Sequence, residues 1–201
     1  MIIREDAGVT KVVLFPGEFY VADTETVMMA LVGSCVCICL YDPVNGIAGM
    51  GQFMLPVDEE ITGFQSSGGP QGHGLKIMKE FTDEMAAKGA DRRFLRAGIC
   101  GGSSFYIPSD YEEHFDQAGA GTSHFIREYM RKEGINVVGS DLGGTTGRIV
   151  RFATQDYFLN IRKIRHVSLT GLAYRDREYW KIIVKKYGAE CLEVPGMKRT
   201  A

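Results

Sequence analysis

The segment Asp42-Pro43-Val44-Asn45-Gly46 constrains this chain more than any other, because it separates two apolar runs and can continue neither. Proline presets φ, and the Asn-Gly pair tolerates positive φ, so the chain must reverse here. Before the turn, Val36 to Tyr41 is apolar at every position, which suits a strand covered on both faces. After it, Ile47 to Leu55 returns as a second strand. The two runs are expected to form a hairpin inside a sheet.

Glycine, at 25 of 201 residues, points to many tight turns of this kind. Val12 to Leu14 and Phe19 to Ala22 read as short strands split by Pro16-Gly17, and others are expected at Phe94 to Ile99, Ile135 to Val138, Arg148 to Phe152 and Tyr157 to Ile161. Gln65 through Gly72 is expected as a surface loop. Leu75, Met78, Phe81 and Met85 recur at helical spacing and stop at Gly89, which marks an amphipathic helix. A second helix is expected from Thr122, as N-cap, through Phe125, Ile126, Tyr129 and Met130 to Gly134. The tail offers a third, with Tyr179, Trp180, Ile183, Val184 and Tyr187 on one face. Hairpins with intervening helices predict an α/β class: a layered mixed β-sheet with helices packed on it. One domain over residues 1–167 is expected, with a helical extension over 168–201 packed on it.

The formal charge of -2 supplies no electrostatic ground for nucleic acid or an anionic membrane as partner. No stretch has the 18 or more apolar residues of a membrane span, and the amino terminus does not read as a signal peptide, so a cytoplasmic location is expected. Thiols stay reduced there, and the five cysteines are expected as core residues or a reactive thiol, not disulfides.

Chemistry can sit first at Gly33-Ser34-Cys35. A small, flexible pair before a strand lets backbone amides face a developing oxyanion, with Cys35 as nucleophile if its thiolate is favoured. Against this stands a purely structural role, since Cys35, Cys37 and Cys39 alternate onto one face of one strand. A metal site is not expected from that run, because same-face residues on a straight strand do not close around one ion. No cofactor is expected. Asp141-Leu142-Gly143-Gly144-Thr145-Thr146-Gly147-Arg148 lacks the Gly-Lys-Ser/Thr ending of a P-loop and leads into a strand, so it is read as a turn walling a site. None of His73, His114, His124 and His166 has helical metal-motif spacing. Phe105 and Tyr106, beyond Gly101-Gly102, are candidates either for a partner-binding anchor or for the core.

Taken in order, Gly33-Ser34-Cys35-Val36, Cys39-Leu40-Tyr41-Asp42-Pro43, Phe53-Met54-Leu55-Pro56, Gly101-Gly102, Glu133-Gly134-Ile135 and Asp141-Leu142-Gly143-Gly144 with Gly147-Arg148 resemble the CheD family from about Glu18 to Val167. That resemblance implies a CheD-like cysteine-hydrolase fold that deamidates glutamines of methyl-accepting chemoreceptors to glutamate. It also implies docking with a CheC-type phosphatase. The family cysteine falls on Cys35, and its histidine falls on Gln52. Its threonine falls on or beside Met29 and Ala30, with Thr26 too far back in register.

A glutamine amide does not titrate, so it cannot protonate leaving ammonia or activate water as histidine does. Three outcomes are open: His73 serves as a substitute base; the chain is a degenerate module that docks receptor or phosphatase; or Cys35 performs a less demanding acyl transfer.

Overall fold

The computed structural model describes residues 1–55, 70–105, 115–164 and 169–191, with the side chains of 70–71, 115–117, 169 and 187–191 excepted. Ten strands and three helices are described: β1 (Ile2–Asp6), β2 (Val9–Leu14), β3 (Phe19–Ala22), β4 (Thr26–Val32), β5 (Val36–Asp42), β6 (Ile47–Phe53), α1 (Pro70–Ala87), β7 (Arg96–Gly101), α2 (Phe115–Glu133), β8 (Asn136–Leu142), β9 (Arg148–Ala153), β10 (Phe158–Lys163) and α3 (Leu169–Cys191). The expected α/β class is what the chain adopts, with the strands divided between two mixed sheets. One runs β1-β2-β4-β9-β10 and the other β3-β6-β5-β7-β8. Each contains a single parallel pair, β2 with β4 and β7 with β8.

The hairpin sits at the centre of the second sheet. Asp42 accepts from the backbone of Val44 and Asn45, from the Asn45 amide at 2.7 Å and from the backbone of Asp91 at 2.7 Å. These bonds fix the turn, and Gly46 supplies φ +74. Every residue of β6 is buried, as is all of β5 but Tyr41. Alternation then divides the hairpin between two cores. Cys35, Cys37 and Cys39 join Val12, Leu14, Met28, Ala30 and Phe152 in a layer between the sheets. Val36, Ile38, Leu40 and Phe53 join Met78, Phe81, Met85, Phe125 and Met130 in a layer beneath α1 and α2. The architecture is therefore sheet, sheet, then α1 and α2, in that order.

Several elements differ from the sequence expectation. β1 and β4 were not predicted; β4 pairs with β2 and β9 in the middle of the first sheet. Pro70 to Gly72 belong to α1, and Gln65 to Gly69 lie outside the described residues. A 3₁₀ turn occupies Arg92–Phe94, so β7 starts at Arg96. Most telling is α2, which begins seven residues before Thr122. Thr122 is not an N-cap: buried within the helix, its hydroxyl donates to the Ala118 carbonyl and accepts from the Leu55 backbone N–H at 2.9 Å. Two glycines here serve close packing. A Cβ at Gly119 would stand 2.4 Å from the Ser103 carbonyl, and one at Gly102 only 1.9 Å from the Ser123 hydroxyl. Glycine here brings a helix against a turn.

α3 carries the expected apolar face, with Trp180 and Ile183 buried in the inter-sheet core and Tyr179 and Val184 packed against it. The Tyr187 side chain and the boundary near Val167 lie outside the described residues. No described helix is long and apolar enough to cross a membrane.

Candidate functional site

Gly33, Ser34 and Cys35 form the crossover by which the chain leaves β4 in one sheet and enters β5 in the other. So short a link leaves its backbone polar groups outside either ladder, and they must find partners elsewhere. The Gly33 carbonyl accepts from Ser103 N–H at 2.9 Å, and the Cys35 carbonyl accepts from Gly102 N–H at 2.7 Å. The Ser34 N–H donates to Oδ2 of Asp176 at 2.7 Å, from a helix 142 positions away in sequence.

The turn after β7 is held in its own right. Arg148, 2% exposed, donates to both carboxylate oxygens of Asp141 at 2.9 and 3.0 Å, to the Ser103 hydroxyl at 2.7 Å and to the Gly143 and Thr146 carbonyls. The Gly143 and Ser104 amides complete the join by donating to the Gly101 and Gly144 carbonyls. The Asp141 to Arg148 segment is thus the wall beside the crossover that the sequence suggested. Its planar guanidinium fork ties the two loops that frame Cys35.

Cys35 itself is 0% exposed. Burial pushes its thiol well above the ordinary range, the Asp176 carboxylate pushes it further, and the Arg175 guanidinium and its own backbone amide oppose. Burial also raises the Asp176 carboxyl, against the Arg175 charge and the hydrogen bonds from Arg175 and Ser34. Arg175 reaches Asp176 Oδ1 with Nε at 3.0 Å. In this arrangement the sulfur is a neutral thiol in a closed site.

Gln52 lies on β6 directly opposite Cys37, so it shares the inter-sheet face with Cys35. It is buried, and its Nε2 donates to the Leu14 carbonyl at 2.8 Å, while Oε1 has no hydrogen-bond partner among the described residues. Ala30 faces that same core, whereas Met29, half-buried, alternates onto the opposite face. No proton carrier therefore stands at either position.

His73, just past the segment expected as a loop, is in the first turns of α1. Burial, with Lys186 and Lys76 beside it, lowers its pKa to about 4. The charged groups that act on Cys35 are Asp176 and Arg175, so the structure does not bring His73 into the electrostatic surroundings of the sulfur. Phe105 is not a surface anchor: 5% exposed, it packs on Leu172 and Ala173 of α3 and on Ile164. Tyr106, His114 and His166 lie outside the described residues. Among the described residues no three His, Cys, Asp or Glu side chains gather as metal ligands.

Asp176 is not among the residues expected at the site from the sequence. A signal was present: Asp176, Trp180 and Ile183 fall at i, i+4 and i+7, so a carboxylate sits on the apolar face of α3. An acidic residue on a buried face needs a donor, and the Ser34 amide provides it.

Comparison with known proteins adds the family context. Residues 54–163 match the family described as CheD chemotactic sensory transduction. A Geobacter sulfurreducens protein named probable chemoreceptor glutamine deamidase CheD 1 is 33% identical over 176 residues, covering 87% of this chain and 88% of that protein. Shewanella oneidensis CheD 2, named likewise, is 32% identical over 173 residues, covering 85% of each. A solved DUF152-family protein of Neisseria meningitidis aligns with a TM-score of 0.37 at 12% identity, over 63% of this chain and 53% of that one, a likeness too distant to carry an argument.

Proposed function

The chain belongs to the CheD family, and from that premise we propose that it hydrolyses glutamine side chains of methyl-accepting chemoreceptors to glutamate, with Cys35 as nucleophile. The observation that carries this reading is the Gly33-Ser34-Cys35 crossover, where a sulfur sits beside a backbone N–H already donating to a carboxylate oxygen. In the first step the sulfur bonds to the carboxamide carbon, and the carbonyl π electrons move onto oxygen, facing the Ser34 N–H. Collapse breaks the C–N bond, and the proton lost from the thiol leaves on ammonia. Water then attacks the thioester; one of its protons restores the thiol, and glutamate is released.

Gln52 does not titrate, so it orients without relaying the proton, and turnover is slow. The reaction belongs to the cytoplasm, where the thiol stays reduced. It needs no cofactor.

The test is peptide mass spectrometry of a purified chemoreceptor fragment incubated with the full chain. Glutamine-to-glutamate conversion is expected, and Cys35→Ala must abolish it. Conversion that survives in Cys35→Ala removes the sulfur from the mechanism.

A second reading follows from the complete burial of Cys35: a docking module for chemoreceptors or a CheC-type phosphatase, without turnover. It predicts measurable affinity for one of those partners, unchanged by Cys35→Ala. Absence of binding to both sinks it.

A further inference from the structure

Helix α3 does three things at the crossover. Leu172 and Ala173 cover Phe105, and Leu172 also reaches the backbone of the glycine-rich wall, within 2.3 Å of where a Cβ of Gly147 would stand. Tyr179 reaches the β2–β3 turn, its hydroxyl 2.7 Å from where a Cβ of Gly17 would stand. Between these contacts, Asp176 presents Oδ2 to the Ser34 amide and would lie 2.3 Å from a Cβ at Gly33. Glycine at position 33 is what admits the carboxylate. The helix begins beyond Lys163, where the family match ends.

Chemically, the occupant is informative. Hydrolysis of a side-chain amide ends in a side-chain carboxylate, and α3 holds a side-chain carboxylate on an amide flanking the sulfur. A buried carboxylate is costly unless its donors are well placed, and here one donor is a catalytic-loop amide and the other is Arg175. We infer that α3 is an internal, product-like inhibitor: Asp176 fills the oxyanion position at Ser34, and the helix must leave before a substrate side chain reaches Cys35. This regulation rests on the assignment of Cys35 as nucleophile. It accounts for a fully buried sulfur in a protein of this family, and it makes opening of α3 a step that a receptor or other partner can drive by binding the open form.

The experiment reads Cys35 accessibility in the full chain, without any need for turnover. Wild type, Asp176→Ala and Leu172→Asp are labelled with iodoacetamide under native conditions, and alkylation is followed peptide by peptide at Cys35, Cys37, Cys39 and Cys100. Wild-type Cys35 is expected to react slowly. In at least one variant its rate rises by about tenfold or more, because a charge-assisted bond or the apolar seal is gone, while Cys37, Cys39 and Cys100 stay protected. Hydrogen exchange at the Ser34 amide rises in parallel.

Equal acceleration at all four cysteines means global unfolding and overturns the inference. So does an unchanged Cys35 rate in both variants, or a wild-type Cys35 that labels as fast as a free thiol. Deamidation measured on the same samples separates the two proposals. Selective unmasking without deamidation in any sample keeps α3 as the cover of Cys35 but removes the enzymatic reading and, with it, the inhibitory role. Deamidation in wild type with no unmasking in either variant removes the latch alone.

Discussion

Arg148→Met should show how far the frame around Cys35 depends on one side chain. Methionine retains most of the buried aliphatic volume but deletes five hydrogen bonds: two to Asp141, one to Ser103, and one each to the Gly143 and Thr146 carbonyls. Three of the acceptors recover. The Ser103 hydroxyl still donates to Thr146 at 2.7 Å, and Asp141, with its side chain 33% exposed, can be rehydrated. The Gly143 carbonyl is left without its side-chain donor. Breaking a fully buried pair costs roughly 3–5 kcal/mol, and the exposure of Asp141 places this case near the lower end, about 3 kcal/mol. For a chain of this size that is a fall in Tm of about 6–12 °C. Urea unfolding should show a lower midpoint with an unchanged slope, since the exposed surface is the same. Arg148→Lys should recover less than half, because an ammonium lacks the planar fork that grips both Asp141 oxygens. A loss under about 1 kcal/mol in Arg148→Met would refute the view that this fork organises the loops.

Three further outcomes are expected. The His73 pKa is depressed from 6.5 to about 4, so the unfolded chain binds a proton that the fold refuses; the stability present above pH 6.5 is lost as pH falls toward 4. That part amounts to as much as about 3 kcal/mol, and it should vanish from the pH dependence of His73→Gln compared with wild type. Thr122→Val strands the Leu55 amide and should cost about 1–3 kcal/mol by urea unfolding, with Thr122→Ser near wild type; a neutral Thr122→Val would show that the helix-to-strand bond contributes nothing. Gln52→His should raise deamidation by roughly 10²-fold, the low end for an added acid–base group because neither Met29 nor Ala30 supplies the hydroxyl of the family threonine, and no gain between pH 6 and 8 would show that position 52 is not the lesion.

What the sequence determined by itself is local. The Asp42 to Gly46 turn carries its own conformational preference, the α1 stripe its own period, and the doubly apolar β5 run its own demand for cover on both faces; the ordered motifs around Cys35 identify the family without any coordinates. Tertiary structure decided whatever depends on a distant neighbour. Thr26 to Val32 becomes a central strand because β2 and β9 flank it. Position 119 takes glycine inside a helix because the turn at 102–103 lies close enough to exclude a Cβ. Asp176 meets Ser34 across 142 positions, a contact set by the return of α3 to the turns at Gly17, Gly33 and Gly147. No nearest-neighbour preference encodes such a meeting, since the energy that makes it arises only when the two segments shed water together.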